Sequence, residues 1–492
     1  HPAAIPADGN WMATPLRHMP MTPLDELRAW LGSPMETDPG AQVRLNQLLH
    51  QLRQLALPEL GHRLAKGSTP PTLKRFLVGL TAKFDWPEWV PWLHQVLQQE
   101  PDLGVFDEGC AALGRLELRS AREALQKLET QRTDPDRQLI LRRELGAVDP
   151  QQPLSFYLGR LLEGEANPRL AHQGARGLAL VAEPEDLSTL WEALAGADPL
   201  AFRLLLRALT ELPGGALGPL LLGLFQDTLQ TLEDLESLEA LTHQVQTGAR
   251  TAARSVLVAT LAARMGDQHG EVIQALQQAL DAGEEGHPVP PVELLREQAR
   301  GPYERFLTES LIILLEGKVA RFSAMVTEAQ DMAAKQQAAL GATLNLVCEA
   351  LVHQVLRGSL ASDQALPVLG EAFGRFSHSE GLDHAFCRLV PAGDEAALGR
   401  IPAVSDPKRR LACLDVLGAR EEDALTPFFM RAMQDPIVEV GQRAMHHLGK
   451  LPSSFPAVMD LFQSGQPEQV RTALRIFTAN GTKAAAEPLM AF

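Results

Sequence analysis

Aromatic residues are scarce in this chain, at 5% of 492 residues with only two tyrosines, and that scarcity weighs against a β-sandwich or barrel, which draws on aromatic and β-branched side chains. Cysteine is scarce as well. The four present, Cys110, Cys348, Cys387 and Cys413, are far apart. Flanks such as those of Cys413, between Ala412 and Leu414, mark small buried hydrophobes, so neither a disulfide framework nor a metal-spaced pair is expected and a reducing cytoplasm is the expected home. Positive charge is in deficit: 45 Lys and Arg stand against 61 Asp and Glu, for a formal charge of −16. The deficit lies before residue 400, since residues 400–492 hold 11 basic and 10 acidic side chains. So acidic a surface repels phosphate backbones and disfavours nucleic-acid binding by the chain as a whole. Long apolar runs are missing too; the stretch from Leu311 to Leu315 falls far short of a membrane span, and no transmembrane segment is expected. No basic-then-apolar secretion signal opens the chain. Met12 reads as the natural start, so residues 1–11 are left out of the fold reasoning.

Catalytic signatures are missing as well. There is no phosphate loop, no zinc-protease His-Glu pair and no serine-nucleophile elbow, so no catalytic residue, cofactor or metal is expected. Gly214, Gly215 and Gly218 read as a tight turn between helices, because no strand precedes them and no phosphate-binding lysine follows. His378, Glu380, Asp383 and His384 gather zinc-ligand residue types, but no ligand geometry is implied, and the stretch reads as a hydrophilic connector with solvated histidines. His446 and His447 are adjacent, about 100° apart on a helix, and do not suit a shared metal.

What the chain has is leucine, alanine and a recurring helix start. Asp435 and Pro436 open a stretch with apolar residues at Val440, Ala444, Met445 and Leu448 and a closing Gly449: an N-cap, a first-turn proline and a C-terminal glycine. An acidic or amide residue before proline recurs at Glu100, Asp134, Asn167 and Asp198, in steps of 34, 33 and 31 residues, and at Asp406, Asp435 and Gln466, in steps of 29 and 31. Each step has room for two helices, and a helix pair too small to bury its own apolar face is the unit of an α-solenoid. The expected fold is therefore all-α: stacked antiparallel helix pairs, irregular in the centre.

The segments Asp435 to Gly449 and Gln466 to Phe477 resemble the second half of HEAT repeats, whose pattern runs Asp-Pro, Val-Arg, then Ala and Leu-Gly. The first places Gly441 where arginine is usual, with Arg443 two residues on; the second keeps Val470-Arg471 and loses the Asp. The resemblance covers residues 100–226 and 400–492. It implies a curved stack of helix pairs with a surface for partners.

On this reading residues 1–40 are an irregular lead-in, 41–226 are N-terminal repeats, 227–400 form an irregular helical region with a linker at 283–291, and 401–492 are C-terminal repeats. The end from Ala484 to Phe492 reads as the opening of a further helix without a polar capping repeat, so the repeats are expected to continue. Trp86, Trp89 and Trp92, spaced by three, form either a core plug or a partner platform. Lys408, Arg409, Arg410, Arg443, Arg471 and Arg475 either pair between repeats or form a patch for an anionic partner. The expected function is a non-enzymatic protein–protein interaction scaffold within a larger assembly or longer polypeptide. Alternatives are a DNA-repair glycosylase-type enzyme on HEAT-like repeats, which the charge opposes, and a regulatory module binding a ligand in the central region. Oligomeric state is left open.

Overall fold

The computed structural model describes residues 22–32, 39–84, 87–146, 148–247, 256–257, 259–260, 302–315, 319–376, 379–464 and 466–480. Among these residues there are 23 α-helices, a few 3-10 turns and no strand. The helices are α1 (Pro23–Gly32), α2 (Pro39–Leu52), α3 (Leu57–Ala65), α4 (Pro71–Phe84), α5 (Trp89–Gln99), α6 (Leu103–Leu116), α7 (Arg119–Gln131), α8 (Pro135–Leu145), α9 (Leu154–Leu161), α10 (Pro168–Val181), α11 (Leu187–Leu194) and α12 (Pro199–Thr210). After the turn at Gly214 come α13 (Leu217–Thr247), α14 (Pro302–Leu315), α15 (Val319–Leu356), α16 (Ser362–Arg375) and α17 (Glu380–Leu389). The last are α18 (Glu395–Leu398), α19 (Pro407–Gly418), α20 (Thr426–Ala432), α21 (Val438–Lys450), α22 (Phe455–Gln463) and α23 (Pro467–Asn480).

Proline does start helices. It is the first residue of α8, α10, α12, α19 and α23, and Asp134, Asp198 and Asp406 cap three of these by accepting from the backbone N–H of Asp136, Ala201 and Lys408. Two expected starts are displaced. α6 begins at Leu103 with Asp102 as its cap, because the carboxylate of Glu100 is drawn into a buried ion pair with Lys74 at 2.6 Å. α21 begins at Val438, since Asp435 accepts from the Ile437 N–H and from Arg410 instead of capping a helix at Pro436, and the helix runs one residue past Gly449. α13 runs without a break from Leu217 to Thr247. The linker at 283–291 and the end at 484–492 lie outside the described residues.

The chain divides into two compact units, residues 1–218 with 350–492, and residues 219–349. The divisions thus fall at 218/219 and 349/350, where the sequence rhythm changes at 226/227 and 400/401. In the first unit, α4 packs on α6, α5 on α7, α6 on α8 and α10 on α12; in its later part α17 packs on α19, α19 on α21 and α21 on α23. Helices therefore lie beside their second neighbours as well as their immediate ones. A leucine-rich core running from Leu24 to Leu141 fills the early part, with Trp89, Phe106 and Cys110 fully buried in it. The tightest approach is α10 on α9, where a Cβ at Gly174 would overlap the backbone of Tyr157 and Leu161, so only glycine fits.

Within this unit α1 meets residues from 393 to 425 positions later. Asp25 binds His446 at 2.5 Å and Lys450 at 2.6 Å, while Arg28 bridges Glu59 at 2.8 Å and Glu421 at 3.0 Å. Ala419 packs against the early leucine core.

The second unit has its own core: Leu235, Leu238 and Leu241 of α13 with Phe306, Leu307 and Leu311 of α14 and Phe322, Val326, Ala329 and Ala333 of α15. Glu236 and Glu239 face outward from α13. Among the described residues one helix, spanning Arg321–Leu356, is long and apolar enough to cross a membrane, with a best window of mean hydropathy 1.4. Core helices pass the same test. Its larger apolar residues are spread among alanines and glutamines, so no long apolar run marks it in the sequence.

Candidate functional site

Three helices of the first unit place side chains around a cavity of about 640 Å³, a volume in the range of small-molecule sites. The end of α2 and the turn after it contribute Gln47, His50, Gln51, Leu52, Arg53 and Leu55. α17 adds Ser379, Glu380, Asp383 and His384, and α19 adds Asp406, Lys408, Arg409, Ala412, Cys413, Asp415 and Val416. The wall is mixed. Leu52, Leu55, Ala412, Cys413 and Val416 are apolar, and the rest is polar or charged.

The carboxylates are largely committed. Asp383 takes three hydrogen bonds from Arg409, at 2.6 to 2.9 Å, and both side chains are buried. Arg409 also donates to the Phe373 carbonyl at 2.9 Å and lies over the Phe373 ring at 4.6 Å. Asp415 accepts from Arg443 at 2.6 Å and meets His447 at 3.1 Å. Asp406 and Ser379 are the N-caps of α19 and α17, so two helix N-termini border the same space.

His384 is the unusual member. It is buried, and its Nε2 has no hydrogen-bond partner among the described residues. Burial, with the charges of Arg388 and Arg53 nearby, pushes its pKa down to about 3, so the ring is neutral at physiological pH. Arg53 is unusual in backbone: its φ is +51°, the left-handed region that favours glycine, at the break between α2 and the following 3-10 turn. Cys413, in the cavity wall, neighbours the buried Cys387, and burial with this contact raises the Cys387 pKa well above the ordinary thiol range.

The residues singled out in the sequence are placed as follows. Trp89 is fully buried in the core, Trp92 is half-buried across Gly61 and beside His62, and Trp86 lies outside the described residues. Arg409, Arg410 and Arg443 reach across to Asp383, Asp435 and Asp415, each on a neighbouring segment. Arg471 is exposed with Glu468 at 3.0 Å, Arg475 is exposed, and Lys408 is exposed at the cavity. The six basic residues are thus not one patch. The stretch around His384 is not a hydrophilic connector: it forms helix α17, with Asp383 and His384 buried, while His378 lies outside the described residues. Leu382, Ala385, Phe386 and Leu389, at helical spacing, carry the signal that reading missed. No group of three or more His, Cys, Asp or Glu side chains that would hold a metal ion occurs among the described residues.

Compared with known proteins, the chain matches no family model and no curated protein.

Proposed function

We propose that the chain is a HEAT-like α-solenoid whose work is to hold protein partners on the faces of its stacked helix pairs, without catalysis. The observation that carries this reading is the packing of helices on their second neighbours through α4, α6 and α8 and again through α17, α19, α21 and α23, the contact pattern of helix pairs stacked in order. Ion pairs join successive pairs: Arg409 with Asp383, Arg443 with Asp415 and Arg410 with Asp435. With those guanidinium groups engaged inside the protein, and an acidic balance elsewhere, a DNA-processing role has less to stand on. Free, buried thiols at all four cysteines fit a reducing compartment.

The test is affinity capture of the full chain from native lysate, followed by reconstitution from purified components. A partner held in constant stoichiometry, and lost on Arg471→Glu with Arg475→Glu, two exposed positions of α23, supports the scaffold. Recovery of nothing beyond abundant non-specific proteins, or retention on DNA that survives physiological salt, overturns it.

A further inference from the structure

We infer that the first unit is built as two arms, residues 22–212 and 350–480, fixed to each other at one end and held at the other by an ionic clasp that releases. This goes beyond the scaffold reading and stands independently of it. Packing separates the arms. Within the first arm α4, α6 and α8 pack in succession, and within the second α17, α19, α21 and α23 do, whereas among the described residues no helix from α1 to α12 packs along one from α16 to α23. The leucine core from Leu24 to Leu141 belongs to the first arm, and among the described residues Ala419 alone of the second arm packs on it. Between α2 of one arm and α17 and α19 of the other lies the cavity of about 640 Å³, where a shared core would place close-packed side chains. A contact that is neither extensive nor apolar leaves relative motion as the default.

The two ends of the contact differ in chemistry. At the fixed end the last turn of α12 is tied down in the interior: the Thr210 carbonyl accepts from the buried Gln354 amide at 2.9 Å and from Arg357 at 3.3 Å, and a Cβ at Gly218 would lie 2.9 Å from the Leu360 side chain. At the far end α1 meets the second arm through charge, Asp25 with His446 and Lys450 and Arg28 with Glu421. The Arg28 and Glu421 side chains keep 36% and 44% of their surface exposed, so water and ions reach that pair. A buried hydrogen bond breaks only by leaving a polar group unsatisfied, whereas a partly exposed charge that leaves its partner is taken up by water and counterions. Opening therefore starts at α1 and swings about the ends of α12 and α15. It uncovers the sides of α2, α17 and α19 that line the cavity.

The test is the distance between the arms, read by electron double resonance between two nitroxides on the full chain. One label pair, Val43→Cys with Val438→Cys, joins exposed positions of α2 and α21; the other, Ala216→Cys with Leu356→Cys, joins exposed positions at the fixed end, and the four native cysteines are buried from the reagent. In low salt the first pair is expected to give one narrow distance distribution. In about 1 M sodium chloride, where the screening length falls to about 3 Å, that distribution lengthens and broadens while the second pair holds. Glu421→Arg with Lys450→Glu changes only the second arm, sets like charges against Arg28 and Asp25, and is expected to lengthen the first distance already in low salt. Its far-UV circular dichroism should match wild type, because the helix packing within each arm is untouched. The salt series needs no altered clasp and decides the matter even if that variant loses helix. A first-pair distance that holds in about 1 M salt, or equal lengthening of both pairs, overturns the inference.

Discussion

Replacing Arg409 by leucine removes one side of the best-formed buried ion pair in the first unit. The change deletes three hydrogen bonds to Asp383, one to the Phe373 carbonyl, and the guanidinium lying 4.6 Å from the Phe373 ring centre. The Asp383 carboxylate, with 11% of its side chain exposed, keeps its desolvation cost and loses its partner. Breaking a buried pair in this way costs about 3–5 kcal/mol, and the lost cation–π contact adds up to ~2 kcal/mol. Replacing both partners with leucine is expected to recover most of the loss, because a well-packed apolar pair of similar volume is often neutral relative to the ions. Tryptophan fluorescence is the assay of choice, since all six tryptophans lie at or before residue 191 and so report on the first unit alone. Urea unfolding of wild type, Arg409→Leu, Asp383→Leu and the double variant then closes a mutant cycle. A single-variant loss under about 1 kcal/mol, or a double variant as damaged as the sum of the singles, would refute the claim that the charges are buried against each other.

Asp25 gives a pH prediction. Burial works to raise its pKa, but hydrogen bonds from His446, Lys450 and Thr22 overcome this and hold it far below the usual carboxylate range. A depressed folded pKa means the unfolded chain binds more protons as pH falls, so the stabilisation is complete above the unfolded value of about 4 and declines below it. The melting temperature of Asp25→Asn should therefore trail wild type at pH 6, with a gap that starts to narrow only below about pH 4 and goes on narrowing through the strongly acid range; a gap that stays constant below pH 4 would refute the assignment. Gly418→Ala should destabilise by ~1–3 kcal/mol in the same urea assay, because the added methyl overlaps the His447 ring and dislodges it from Asp415; a neutral result would mean that His447 has room to move. Finally, all four cysteines are buried, and burial raises the Cys110 and Cys387 thiols, so a thiol-reactive dye should label less than one cysteine per native chain and four in denaturant.

Helix existence was legible because it is written locally. Proline at a first helical position and aspartate before it are recognisable at Asp134, Asp198 and Asp406, and the structure uses them so. Where a cap residue had a stronger claim elsewhere, the reading slipped: Glu100 answers to Lys74, twenty-six residues away, and Asp435 to Arg410. The same limit hid the cavity. Its wall joins residues 47–55 to residues 379–416, and no spacing rule connects positions so far apart. His384 was misplaced for a related reason. The stretch leading into it, His378 to Glu380, is polar, whereas the burial of α17 is set by Leu382, Ala385, Phe386 and Leu389 and by what α19 presents to them.

The contacts that bring α1 to α21 and to the turn after α19 are largely ionic, and that choice has a physical consequence. Two leucine-lined helical surfaces pack nearly as well after sliding by one turn, because apolar burial is non-directional and each turn presents a similar stripe. Charges are not so forgiving. A slide of about 5.4 Å along α21 would carry Lys450 away from Asp25, leave that half-buried carboxylate without its cation, and part Arg28 from Glu421. Such pairs add little net stability once desolvation is counted, but each wrong register leaves a charge unmatched. The polar seam between residues 22–59 and 419–450 therefore acts mainly to select one alignment, and the cavity lined by α2, α17 and α19 exists only in that alignment.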